Sequence, residues 1–289
     1  MKPLVVVTGK NGQLGWELEQ IHADHSSEFD FLFIGRQEMD LSNSVSVEAF
    51  FTKYQPQYFI NCAAYTAVDK AEADKETAFY VNAVNVGLLA SLCLVHQCRF
   101  ISFSTDYVFD GNTQTPYLPD DATNPLNQYG LSKREGEKLA LQNNPLSVII
   151  RTSWVYSSHG NNFVKTMLRL MNERPEIKVV ADQIGGPTYA RDLAVAVIKI
   201  IAEMHSGNPH AGIYHYCNSG IISWHQFAVA IQQLSGLNCK VLPITTNEYP
   251  TPAKRSHYSG LDTSKIVADF NVIIKPWQES LQECLKLLL

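Results

Sequence analysis

Positive charge is in short supply in this chain: 289 residues carry 23 lysines and arginines against 28 aspartates and glutamates, a formal net charge of -5. A basic field of the kind that holds nucleic acid is absent, and nucleic acid is excluded as a partner. Cysteine is sparse too. The six (Cys62, Cys93, Cys98, Cys217, Cys239, Cys284) stand in apolar surroundings with no C-x-x-C pair, which excludes a disulfide framework and a thiolate zinc site and suits a reducing compartment. None of the nine histidines falls into H-E-x-x-H or another ligand spacing, so no metal site is read from them, and His215 and His225 read as structural. No apolar run reaches the roughly eighteen residues of a spanning helix, and Leu4-Val5-Val6-Val7 is too short for a signal peptide. The expectation is a soluble, cytoplasmic protein without a membrane partner. Repeats and low-complexity linkers are missing as well, while 45% hydrophobic and 18% charged residues exclude a disordered chain.

What is present begins at the first strand. Leu4 to Val7 is a β-branched run that ends at Thr8-Gly9, and Gly9-Lys10-Asn11-Gly12-Gln13-Leu14-Gly15 then leads into a helical stretch through Trp16, Leu18 and Ile21. Glycines at 9, 12 and 15 permit a tight turn, let backbone N–H groups approach a pyrophosphate, and allow close helix packing. They carry one more residue before the second glycine than G-x-G-x-x-G. After the next strand, Phe29 to Ile34, the chain has Gly35-Arg36 where an NAD site carries an acidic residue on the ribose. An arginine there accommodates a 2′-phosphate, which favours NADPH over NADH without excluding NADH; the alternative is an ordinary surface arginine. Asp40 and Leu41 follow, placed to flank an adenine, although Asp40 serves equally well as a helix cap.

The βα rhythm continues through a helix around Val45 to Lys53, a strand at Tyr58 to Asn61, an apolar helix from Ala78 to Val95, and strands at Phe100 to Phe103 and Ser147 to Arg151. Ala63 and Ala64 at a strand's carboxyl end leave room for a cofactor. Thr105 and Asp106 stand where a substrate oxygen would be met. Tyr129 and Lys133 lie four residues apart after the turn signal Asn124-Pro125, which places phenol and ammonium on one helix face. The neighbouring cation is expected to lower the phenol's pKa and make it a general acid. The alternative is an aromatic beside a solvated lysine.

Gly9-x-x-Gly12-x-x-Gly15, the Ser104-Thr105 strand end and Tyr129-x-x-x-Lys133, in that order, resemble the extended short-chain dehydrogenase/reductase family. Asn61 to Asp69, Ser104 to Phe109, Arg151 to Tyr156, Gly160 to Phe163 and Tyr249 to Ala253 are similar to its dTDP-4-dehydrorhamnose reductase branch. The resemblance implies an α/β fold, a Rossmann-type doubly wound parallel sheet in residues 1–154 and a smaller mixed α/β substrate-binding lobe in 155–289 with segments returning to the first domain. It implies that Gly12, Gln13 and Leu14 meet the cofactor phosphates, Asp40 and Leu41 the adenosine, and Ala64, Tyr65 and Thr66 the nicotinamide side, with Phe103 lining the same cleft. Tyr129 would be the proton donor, Lys133 its partner and a ligand to the nicotinamide ribose, Thr105 the hydroxyl that tunes the acid, and Trp154 a wall of the sugar pocket.

A nucleotide-sugar substrate carries a diphosphate, for which Lys254 and Arg255 are the candidate cations, with Lys165 behind them; solvated loop charges are the alternative. Some relatives bridge two subunits through magnesium held by glutamates after Gly-x-Pro-Thr. Here Gly186-Pro187-Thr188 leads to Arg191, which argues against Mg2+ and leaves monomer and homodimer both open. Two rival functions share the scaffold. A dehydratase or epimerase would want an Asp-Glu pair after the threonine, and this chain has Asp106-Tyr107. A non-catalytic NADP-binding subunit, similar to the β subunit of methionine adenosyltransferase, would not need the intact Thr105, Tyr129 and Lys133.

Overall fold

The computed structural model describes residues 2–41 and 43–289. Apolar, β-branched segments form a parallel sheet of six strands in the order Gly212–Tyr216, Val148–Thr152, Arg99–Thr105, Tyr58–Asn61, Leu4–Thr8, Asp30–Ile34. Val5, Val6 and Val7, or Val148, Ile149 and Ile150, are buried without a polar face in between, as a sheet covered by helices on both sides requires. The chain steps outward from the first strand to Asp30–Ile34, then returns to pair Tyr58–Asn61 on its other flank. A crevice therefore opens at the strands' carboxyl ends between those two halves, where such sheets bind ligands. Thr8 donates its hydroxyl proton across that point to Asn61 Oδ1 at 2.8 Å.

The helix Gln128–Asn143 lies against this sheet with Tyr129, Lys133 and Glu137 all buried. It starts where it does because the Asn127 side chain accepts from the Gly130 N–H at 2.8 Å and donates to the Lys254 carbonyl at 2.9 Å. Gly130 has to be glycine: a Cβ there would stand 2.2 Å from the Tyr107 carbonyl oxygen. That approach sets the Tyr129 helix against the end of the Arg99–Thr105 strand.

One expectation needs correcting. The helical run from Lys75 to Val95, broken by a π turn at Tyr80–Val84, is long and apolar enough to pass as a spanning helix, against the reading that no such stretch exists. Gly87 of this run sits against Leu139 and Asn143 of the Tyr129 helix, and Leu89, Ala90 and Cys93 are fully buried. Its apolarity serves the core beneath that helix.

Beyond residue 154 the chain divides its effort. The helix Ala190–His205 buries Leu193, Val197 and Ile201 in the same core as Val5, Val7 and Ile101, and Gly212–Tyr216 extends the sheet. A second core joins Met167, Met171, Phe227, Ile231, Trp277 and Leu281 above a short parallel pair, Glu176–Val180 with Lys240–Ile244.

Candidate active site

Two connected cavities run along the carboxyl edge of the sheet, of about 500 Å³ and 360 Å³, sharing Asn11, Gly12, Cys62 and Ala64. The larger takes in Gly9, Arg36, Asp40 and Leu41; the smaller takes in Gln13, Leu14, Thr66, Phe103, Tyr129 and Lys133. Gly9 opens the turn with φ +71°, and a Cβ on Gly15 would stand 2.3 Å from the Gly9 carbonyl oxygen, so the helix Gln13–Ile21 packs directly on the loop that faces the cleft.

The expected cofactor residues thus line one continuous trough, with a few differences. Tyr65 does not line it. Its hydroxyl turns away to Asp74 at 3.2 Å, and its backbone is held by Asn82, which accepts the Tyr65 N–H and donates to the Tyr65 carbonyl, both at 2.9 Å. Arg36 stands at the rim, its side chain 85% exposed and 3.8 Å from Asp40. Of the buried side-chain polar atoms without a hydrogen-bond partner among the described residues, two belong to the trough: Asn85 Oδ1, of a residue lining the larger cavity, and Ser104 Oγ, of one lining the smaller. A trough with unmatched polar atoms and a glycine-lined floor fits a bound dinucleotide.

The segment 157–162 closes over the glycine turn. His159 stacks on Trp16 with ring centroids 4.9 Å apart and meets the Asn11 carbonyl oxygen at 3.1 Å, and Asn162 donates to Gln13 Oε1 at 2.9 Å. Glu17, fully buried, accepts from Ser157 at 2.5 Å and from Arg191 Nε at 2.8 Å. The carboxylate is therefore neutralised by a guanidinium, which does not fit a magnesium ligand. Glu17, Asn82 and Asn85 belong to no motif in the sequence; an acid or amide within an otherwise apolar helix run is the one signal they offer.

Behind the inner end of the trough Thr105 donates to Asp106 Oδ1 at 3.0 Å and accepts the Tyr107 N–H at 3.2 Å, and its hydroxyl lies on the side of the Tyr129 phenol and acts on its proton. Burial pushes the Tyr129 pKa well up; the Thr105 hydroxyl opposes the rise, and the charges of Asp106 and Tyr107 add to it. This reverses the sequence expectation. Lys133 is buried as well, so burial drives its own pKa down to about 8 against the pull of Glu137, and it is not the group that dominates the phenol.

Asp106 is pushed up to about 6 by burial, with Ser259 and Thr105 hydrogen bonds working the other way. Between about pH 4 and its folded pKa the native protein holds a proton that the unfolded chain releases, so stability falls as pH rises through that window. Asp106→Asn keeps an acceptor for Thr105 and has no charge to bury. It should melt above the wild type near pH 7 and lose that advantage near pH 4; a melting difference that ignores pH contradicts this reading.

Asp106, Trp154 and Arg255 come together around a third, tight cavity of about 10 Å³. Arg255 is already engaged, donating to Asp69 Oδ1 at 3.1 Å and Oδ2 at 2.8 Å. Lys254 is exposed and lines none of the three cavities. Lys165 donates to the Ser158 carbonyl at 3.3 Å and belongs to the 157–162 cover.

Comparison with known proteins agrees with this geometry. The model of the RmlD substrate binding domain family matches residues 1–289. The dTDP-4-dehydrorhamnose reductase of Aggregatibacter actinomycetemcomitans is 41% identical over 286 residues, 96% of this chain and 97% of that protein. Among solved structures, the Clostridium acetobutylicum dTDP-4-dehydrorhamnose reductase superposes with a TM-score of 0.93 at 40% identity, covering 99% of both chains. The Bacillus anthracis enzyme of that name, in complex with NADP, gives a TM-score of 0.93 at 36% identity over 99% of both. By these matches across its whole length the chain belongs to the RmlD substrate binding domain family, that of the dTDP-4-dehydrorhamnose reductases.

Proposed function

We propose that this protein reduces the C4 ketone of dTDP-4-dehydro-L-rhamnose with NADPH to give dTDP-L-rhamnose. The observation that carries the reading is Tyr129 and Lys133 together lining the inner end of the trough that the glycine turn opens, in a chain whose relatives bear that activity in their names. NADPH supplies the hydride when bound. The backbone at Gly12, Gln13 and Leu14 faces its pyrophosphate from a helix amino terminus, Asp40 and Leu41 flank its adenosine, and Ala64, Thr66 and Phe103 border its nicotinamide end.

Tyr129 donates the proton to the sugar oxygen. A phenol whose proton is held tightly by burial stays protonated until negative charge develops in front of it, and a nearby ammonium then stabilises the phenolate. Lys133 provides that ammonium, and Thr105 holds the ring's hydroxyl in place. Arg255, the only cation among the described residues lining the tight cavity, meets the diphosphate while Asp69 orients it. Tyr107 fills the position at which a dehydratase needs a glutamate, its ring edge-on to Tyr129 at 5.6 Å.

The test is to mix the protein with NADPH and dTDP-4-dehydro-L-rhamnose, follow loss of the reduced cofactor, and identify the sugar. Turnover to dTDP-L-rhamnose is expected, and a flat trace with sound substrate refutes the proposal. NADPH should be preferred to NADH, and Arg36→Ala should lower kcat/KM for NADPH roughly tenfold, about 1.4 kcal/mol, while sparing NADH. Equal losses with both cofactors would assign the 2′-phosphate elsewhere.

A further inference from the structure

Trp154 has φ +48°, a left-handed backbone that bulky side chains rarely adopt and that persists only where the surroundings over-determine it. Those surroundings are visible on both sides. Its carbonyl accepts the Thr188 N–H at 3.3 Å, and the preceding Ser153 donates to the Gly186 carbonyl at 2.6 Å. Its indole lies flat on that of Trp224, centroids 3.5 Å apart and planes 10° from parallel. Trp224 is fixed in turn: it is the first residue of the helix Trp224–Ser235, whose start is set by a reciprocal cap between Ser223 and Gln226, and Phe163 backs it at 4.5 Å.

Gly185 completes the arrangement. It pairs with Ile222 in a two-residue antiparallel ladder that ends beside Trp224, and a Cβ on it would stand 2.8 Å from Trp154 Cε2. The absent side chain is the space the indole fills. Trp154 in that place borders the tight cavity with Asp106, which accepts the Thr105 hydroxyl proton, while its neighbour Val155 lines the same cavity as Tyr129 and Lys133.

We infer that Trp224 is a positioning residue for the nucleotide-sugar site, and Gly185 with it: they hold the strained Trp154 indole as a fixed apolar wall against the C–H face of the sugar, so that its ketone is presented to Tyr129. This rests on the function proposed above. Neither tryptophan lines the two cofactor cavities, so the pair governs sugar binding and leaves cofactor binding alone.

Three measurements on the full chain test it: far-ultraviolet circular dichroism for the exciton couplet of two stacked indoles, calorimetric titration of the NADP+-loaded protein with the nucleotide sugar, and steady-state kinetics. Trp224→Ala should lose the couplet, weaken sugar-nucleotide binding and raise its KM roughly tenfold, and leave NADP+ affinity within about twofold. Trp224→Phe, which preserves a stacking ring and guards against a fold defect, should lose the couplet yet keep KM within about threefold. Gly185→Ala should weaken both couplet and sugar binding.

The inference is overturned if the wild type shows no couplet, or if Trp224→Ala loses it with sugar binding and KM unchanged, or if cofactor affinity falls as much as sugar affinity. A wild type that binds the nucleotide sugar in a Trp224-dependent way without turning it over would remove the reductase reading and keep this one. A wild type that binds no nucleotide sugar overturns both.

Discussion

Tyr129→Phe should lose at least about 10²-fold in kcat while its affinity for NADPH stays within about twofold. Phenylalanine keeps the ring that packs against Ala71 and Ala78 and the edge-on contact with Tyr107 at 5.6 Å. Only the hydroxyl is lost. Without it a developing alkoxide has no positioned donor, and general acid catalysis by a fixed side chain commonly contributes about 10² to 10⁴. The substitution leaves one buried partner, the Thr105 hydroxyl, still satisfied by Asp106 and the Tyr107 N–H, so stability should change little. Rapid-mixing measurement of the hydride step and a cofactor titration check both halves. Parallel losses in rate and cofactor affinity would make Tyr129 a structural residue.

Arg151→Met should destabilise the protein by about 3 kcal/mol or more, since an ion pair broken on one side leaves a buried charge uncompensated. Arg151 is 2% exposed and forks onto Glu137, Nε and Nη2 donating to the two carboxylate oxygens at 2.8 Å each. Its third hydrogen bond goes to the Pro119 carbonyl at 3.0 Å, and its guanidinium sits 5.0 Å from the Phe109 ring centre. Glu137 is one helical turn beyond Lys133 and favours that ammonium's charge. Burial first, and the adjacent guanidinium second, hold His215 neutral with its pKa down to about 3; the burial remains in the variant and opposes any charge there. Urea unfolding measures the effect, and adding Glu137→Leu should restore much of the stability, because the charge left behind is then gone. A single-variant loss below about 1 kcal/mol would show that the pair is reached by water.

The strand runs, the glycine turn and the Tyr129 helix were legible because their signals are local. A valine-rich run of strand length or a four-residue spacing carries its own geometry. What could not be read depends on partners far along the chain. The edge strand Gly212–Tyr216 exists because Val148–Thr152 offers it a free edge, and the pairing of Glu176–Val180 with Lys240–Ile244 has no turn to announce it. The sequence offers Arg255 as a cation for phosphate; that Asp69, 186 residues away, holds its guanidinium is visible only in the fold. The Tyr129 phenol shifts opposite to expectation because spacing reveals a neighbouring lysine and is silent on how thoroughly both are buried. Trp154 was marked by resemblance, yet its left-handed backbone and its stack on Trp224 follow only from the packed lobe.

The central claim is that the Tyr129 hydroxyl, the Thr105 hydroxyl and the nicotinamide converge on one carbonyl carbon. The most direct measurement supplies NADPH deuterated at the transferable C4 position to wild type and Tyr129→Phe, and reads the sugar product by NMR. Deuterium found only at sugar C4, on one face, with the variant slowed and its stereochemistry unchanged, is the predicted result. Label at another carbon, at both faces of C4, or remaining in the cofactor while sugar is converted would contradict the account.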